Sequence, residues 1–178
     1  MRCVTHERFT VGKALAWRSA IDDDPPYQRP SDRWSLGRRR RFIDSLLNGY
    51  DVPKLYFHDR RGVEPRLVYA VVDGKQRLHA LWSFAAGEFA LDPAFRLTGD
   101  PHPSARNAPA PVGGMRIADF HPAWRRALLD TQLTVVLIQD ATPREIDELF
   151  FRLNDGVPLT RHERAVARAA GLATVASG

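Results

Sequence analysis

The sequence predicts a mixed α/β domain, a small mixed sheet flanked by helices, and three observations lead there. Two β-rich runs, Lys54–His58 and Arg66–Val72, are separated by a polar turn around Arg61 and Gly62, and a third, Gln132–Ile138, lies far downstream. Segments of helical spacing stand on either side of these runs. An apolar content of 44% over 178 residues is enough for one ordinary core and excludes wholesale disorder.

The elements follow in chain order. Thr10 to about Ala20 reads as a short helix with Val11, Leu15 and Trp17 as candidate buried residues. Asp22 to Pro26 breaks it; the three aspartates lack metal-loop spacing and read as a polar turn. Tyr27–Pro30 follows as extended chain or turn, because a residue before proline is pushed out of the helical region. Ser35 caps a helix from Leu36 to about Asn48, and Gly49 stops it. On a helical wheel Leu36, Phe42, Ile43, Leu46 and Leu47 share one arc. Arg39 falls inside that arc, so it sits past the edge of the core or points into a pocket.

The strand RLVYAVV is apolar on both faces near its end, as a central strand is. It runs into Asp73-Gly74 and then a helix with Leu78, Leu81, Trp82 and Ala85 at helical spacing, ended by Gly87. Residues 92–114 are rich in Pro and Gly with little periodicity, which reads as a lid or a disordered insertion. A helix over Pro122–Leu129 precedes the third strand. Thr142-Pro143-Arg144-Glu145 is a capping box opening a helix to about Leu153, and Thr160–Glu163 opens another that fades at Gly171. The domain is placed at residues 1–170, with 171–178 as a truncated or disordered tail.

Composition narrows the function classes. No apolar run reaches the length of a membrane-spanning helix, and MRCVTHERFT has no secretory h-region, so a cytoplasmic protein is expected. Cys3 is the sole cysteine, and the six histidines are scattered without zinc spacing. The net charge is +5, and with only three lysines 23 of the 26 basic residues are arginine. Arginine suits bidentate phosphate contact, although a codon bias toward arginine produces the same composition. Arg38 and Arg41 point away from the apolar arc and are candidate contacts to a DNA backbone; a solvated basic helix is the competing reading. Trp34 is either a base-stacking residue or a core staple.

The strongest local feature is VVDGKQRLHAL, residues 71–81. A buried strand delivers Asp73 and Gly74 to a helix N-terminus, where unpaired amides and the helix dipole favour anions. Gly74 admits a ligand close to the backbone, and Lys75, Gln76 and Arg77 add a cation, an amide and a guanidinium within one turn. This is a phosphate cradle, or an Asp N-cap followed by solvated polar residues. It is not a Walker loop, since the GK[ST] ending is missing.

Four separated segments stand in order: Tyr27-Gln28-Arg29-Pro30 with Arg33-Trp34, then FIDSLLNGYDVPKLYF, VVDGKQR and FFRLNDGVPLTRHE. Together they resemble the N-terminal domain of the GmrSD family of modification-dependent restriction systems, over about Thr10–Ala170. The DG-x-x-R turn also resembles the more distant ParB/sulfiredoxin-like superfamily. The resemblance implies a ParB-like domain that binds and hydrolyses a nucleoside triphosphate, with Mg²⁺, and controls DNA cleavage in phage defence. The family's DGQQR motif maps onto Asp73, Gly74, Lys75, Gln76 and Arg77, with lysine where glutamine is usual, and its upstream QR maps onto Gln28 and Arg29. On this mapping Asp73, Gln76 and Arg77 are catalytic, Asp73 also caps the helix and holds Mg²⁺, and Gln28, Arg29, Gly74 and Lys75 bind phosphate. The resemblance alone adds Asn154 as a site-lining residue. The family's HNH-type nuclease pattern is missing, so the chain is expected to be a fragment or a stand-alone sensor half working with a separate nuclease. The alternatives are a non-catalytic DNA-binding module and a ParB-like nuclease.

Overall fold

In the computed structural model the described residues are 1–6, 8–26, 34–61, 66–100 and 102–154, the last without its side chain. They form two compact units, residues 1–142 and 143–178. The first unit contains β1 (Arg2–His6), α1 (Val11–Ala16), β2 (Ile21–Asp22), α2 (Leu36–Leu47), β3 (Leu55–Asp59), β4 (Tyr69–Asp73), α3 (Lys75–Ala85), α4 (Pro122–Asp130) and β5 (Val135–Gln139). The described part of the second unit is α5 (Pro143–Asn154), stapled on its surface by Arg152 and Glu148 at 2.7 Å.

The sheet runs in the order β1-β5-β3-β4-β2. β1 is antiparallel to β5, β5 parallel to β3, β3 antiparallel to β4, and β4 parallel to β2. The fold is therefore the mixed sheet with helices that the sequence predicts. Residues 69–72 of β4 are all buried, in keeping with a strand flanked on both sides. Phe57 stacks on Tyr69, Tyr69 on Trp17, and Phe9 meets Phe57 edge-on, which joins the sheet to α1 through aromatic rings. The indole of Trp82 donates to the Ala14 carbonyl at 3.1 Å and ties α3 to α1.

Several elements differ from the expectation, each for a local reason. The first helix ends at Ala16 and passes into a 3-10 turn over Arg18–Ala20; Ala14 is buried, whereas Leu15 and Trp17 are only partly so. Leu36, assigned to the buried arc, is 39% exposed because it opens α2 nearly two turns before Phe42 and Ile43 reach the core. Arg39 lies at the core edge, with its guanidinium 5.2 Å from the Phe89 ring. β1 carries no burial pattern, since four of its five residues are exposed, and it is held by backbone pairing to β5. β2 holds two residues and begins the run of aspartates that reads as a turn.

The described residues of 92–114 are packed and are not a disordered insertion. They form a packed loop in which Phe95 and Ala105 are buried. Its anchor is Asn48, at the end of α2, the one buried polar residue among those described. Asn48 accepts from Thr98 N at 2.6 Å and Gly99 N at 3.1 Å, and donates to the Arg96 carbonyl at 3.2 Å. Gly99 is required there: a Cβ would stand 2.1 Å from the Asn48 carbonyl oxygen. No helix among the described residues is long and apolar enough to cross a membrane. The last predicted helix and the tail lie outside the described residues.

At the end of β3, Asp59 ties this strand to β5. Arg61 grips its carboxylate through Nη2 at 2.6 Å and Nε at 2.9 Å, and Gln139 donates at 2.9 Å. These donors hold the Asp59 carboxyl down at about 2.

Two stability predictions follow from these contacts. Asn48→Ala leaves two loop amides and a carbonyl without partners, so urea unfolding should show a loss of about 2–3 kcal/mol. The Asp59 carboxyl titrates lower in the folded chain than in the unfolded one. Its contribution is therefore complete above about pH 4 and disappears as pH falls toward 2. Asp59→Asn should abolish about 1–2 kcal/mol of the acid-induced loss in that window, and an unchanged acid limb would refute the assignment.

Candidate functional site

The site grows from the end of β4. Asp73 is its last residue, and Gly74 turns the chain into α3 with φ +108°. A side chain is excluded at 74: a Cβ would lie 2.3 Å from Leu55 Cδ2 and 3.4 Å from Arg77 Nη2. Glycine is thus needed twice, for the backbone angle and for the approach of its neighbours. The first helical bond runs from Leu78 N to the Gly74 carbonyl at 3.0 Å, so the amides of residues 75–77 precede the helical ladder. The N-cap residue, being glycine, offers them no side chain.

This corrects the expected role of Asp73 as N-cap. Asp73 still has strand geometry, and its carboxylate turns to the guanidinium four residues on, with Arg77 Nη2 donating to Oδ2 at 2.6 Å. The same Nη2 donates to the Lys54 carbonyl at 3.0 Å. Arg77 thereby joins the end of β4 to the chain just before β3. Its side chain is only 12% exposed, and its buried Nε has no partner.

The other two polar residues of the turn each hold a different segment. Gln76 Oε1 accepts from Trp34 N at 3.0 Å, which fixes the chain entering α2. Lys75 Nζ meets Asp24 Oδ1 at 2.6 Å. Parallel pairing of β2 with β4 explains that contact. Ile21 lies opposite Tyr69 and Asp22 opposite Ala70, so the chain beyond β2 runs toward the same end as Asp73. Each aspartate of the run is engaged there: Asp22 with Arg60 at 3.2 Å, Asp23 with His79, and Asp24 with Lys75. The Lys75 ammonium pulls the Asp24 carboxyl below the usual carboxylate range. A cavity of about 160 Å³ beside Asp23 and His79 is completed by Arg18, Trp82 and Ser83.

The predicted residues Asp73, Gly74, Lys75, Gln76 and Arg77 therefore form one structural unit. Gln28 and Arg29 lie outside the described residues. Asn154 is the last residue of α5, and its side chain is also outside them. Arg38 and Arg41 lie on α2 and are not part of the turn itself. Arg38 covers the Trp34 ring at 4.5 Å, Arg41 is exposed, and Trp34 packs edge-on against Phe42 as a core staple. Asp23, Asp24 and the Lys54 carbonyl were not anticipated. Only the run of three carboxylates hinted at the first two, and nothing in the chain order showed that a two-residue strand would carry them to the turn.

A family model for the N-terminal domain of the GmrSD restriction endonuclease matches residues 16–169. The chain belongs to this family. The matched range includes β4, the turn and α3, and it makes the GmrSD-type domain a component of a restriction system. Searches of curated proteins and of solved structures return no match.

Because Arg77 joins Asp73 to the Lys54 carbonyl in a nearly buried position, Arg77→Ala should destabilise the GmrSD-type domain by about 2–3 kcal/mol. Gly74→Ala should cost at least as much, since it adds a clash with Leu55 to an unfavourable backbone angle. Chemical denaturation measures both, and wild-type midpoints would refute the described turn.

Proposed function

We propose that the turn between β4 and α3 binds the triphosphate of a nucleotide and hydrolyses it, and that this step controls a DNA-cleaving partner in the cytoplasm. The observation that carries the reading is the start of α3: amides of residues 75–77 that precede the helical ladder, behind a glycine with no side chain, beside a lysine. A helix start of this kind favours an anion through its N–H groups and its dipole. Gln28 and Arg29 complete the site in this reading, on the strength of the family motif, and Asn154 lines it on the same ground.

The turn supplies one carboxylate, Asp73, already bonded to Arg77. Among the described residues no group of three His, Cys, Asp or Glu could hold a metal ion. That donor set does not fit a resident metal. It fits Mg²⁺ carried in on the phosphates as part of the substrate and taking at most one protein oxygen. The chain's own residues then do the following. The amides of 75–77 and Lys75 orient the phosphates and offset charge as the terminal phosphoryl group leaves. Arg77 holds Asp73 in place, and Gln76 fixes the segment before α2, so both act by positioning. In this reading cleavage of DNA is assigned to the partner nuclease.

A second reading, a duplex-binding surface, is favoured by α2. None of Arg38, Arg39, Arg40 and Arg41 enters an ion pair among the described residues. Backbone binding of that kind must weaken steeply with salt and show little sequence preference.

Thermal unfolding tests the first reading. A nucleoside triphosphate with Mg²⁺ at about 100 times its Kd should add about 2.7 kcal/mol, or roughly 5–10 °C in Tm. Lys75→Ala should lose most of that rise, and Asp73→Ala should lose phosphate release. Plasmid DNA should stay intact throughout. No rise with any nucleotide would refute the binding site, and nicking abolished by Asp73→Ala would make this chain the nuclease.

A further inference from the structure

The cations and carboxylates around the turn are not equally committed. Asp22 and Arg60 pair with less than one-fifth of either side chain exposed. Asp23 meets His79, one helical turn beyond Lys75. Asp73 and Arg77 are paired on the other side. The contact between Lys75 and Asp24 differs: the lysine side chain is 18% exposed, whereas the aspartate is 81% exposed. The ammonium is sheltered beside the glycine that starts α3, and its counter-ion lies in solvent.

We infer that Asp24 is a built-in competitor for the phosphate position, which a triphosphate must displace from Lys75. The inference rests on the nucleotide reading above. The cation at residue 75 is thereby matched by a carboxylate, Asp24, from the chain just after β2. Displacement is feasible because one exposed carboxylate is a weak partner for an ammonium, whereas a triphosphate brings several negative charges and also engages the helix amides. Asp22 and Asp23 keep the segment anchored through Arg60 and His79 while Asp24 exchanges. The Asp24 amide, which donates to Asp22 Oδ1 at 3.2 Å, hinges the exchanging residue to the anchored one.

The test is titration calorimetry of the whole chain with inorganic triphosphate and, separately, with ATP and Mg²⁺. Asp24→Asn should bind both about two- to fivefold more tightly than wild type, the range that one exposed ion pair supports. In a Lys75→Ala background the same substitution should bring no such gain. Asp24→Ser serves as the second variant, and thermal unfolding without ligand confirms that each variant is folded. Wild-type binding with equal or weaker affinity in Asp24→Asn and Asp24→Ser overturns the inference and leaves the nucleotide reading standing. A gain that persists without Lys75 overturns it too. Absence of binding in every variant removes the nucleotide reading and this inference together.

Discussion

The approach of Leu55 and Arg77 to the Cα of Gly74 is the constraint from which the arrangement of this domain follows. It excludes a side chain at the residue whose positive backbone angle joins β4 to α3, and it places a guanidinium beside the turn. From there Arg77 reaches the chain before β3, Gln76 reaches the chain before α2, and Lys75 reaches the chain after β2. Three segments distant in sequence are thus fastened to one short turn. A bulge in β3 between Tyr56 and Phe57, beside Asp73, bends the neighbouring strand at the same place.

Much of this was legible from the residues, and the limits have physical causes. Ser35, Gly49 and Gly87 marked the helix ends correctly because caps and stops are local chemistry. The long apolar run of β4 and the glycine after it identified the turn for a similar reason. β1 was invisible because an edge strand held by backbone pairing needs no apolar alternation. The loop over 92–114 misled because its order comes from Asn48, 50 residues before the Thr98 amide it binds, and from buried Phe95 and Ala105, not from its own periodicity. Asp24 beside Lys75 depends on a pairing 51 residues apart, which no window of local sequence contains.

The arginine-rich composition also has an internal use. Arg40 donates to the Ala90 carbonyl at 3.0 Å, Arg125 to the Ala118 carbonyl at 3.1 Å, and Arg116 to the Gly87 carbonyl. With Arg77 on the Lys54 carbonyl, these side chains satisfy backbone oxygens at turns and helix ends that lysine, as a point charge, would serve less well. Part of the positive charge that invites a nucleic-acid reading is therefore structural reinforcement, and the net charge of +5 measures partner preference poorly.

The pairing of the sheet carries a consequence for synthesis of the chain. β5 lies between β1 and β3, with Cys3 opposite Ile138 and Leu55 opposite Val135. Until residues 135–139 leave the ribosome, β3 has no partner on that side and β1 has none at all. The hairpin of β3 and β4 and the start of α3 can form early, because their contacts are close in sequence. The N-terminal strand must wait for nearly the whole of the first unit. A nascent chain halted before β5 would therefore present β3 as an open edge, the kind of surface that recruits chaperones or a second nascent copy.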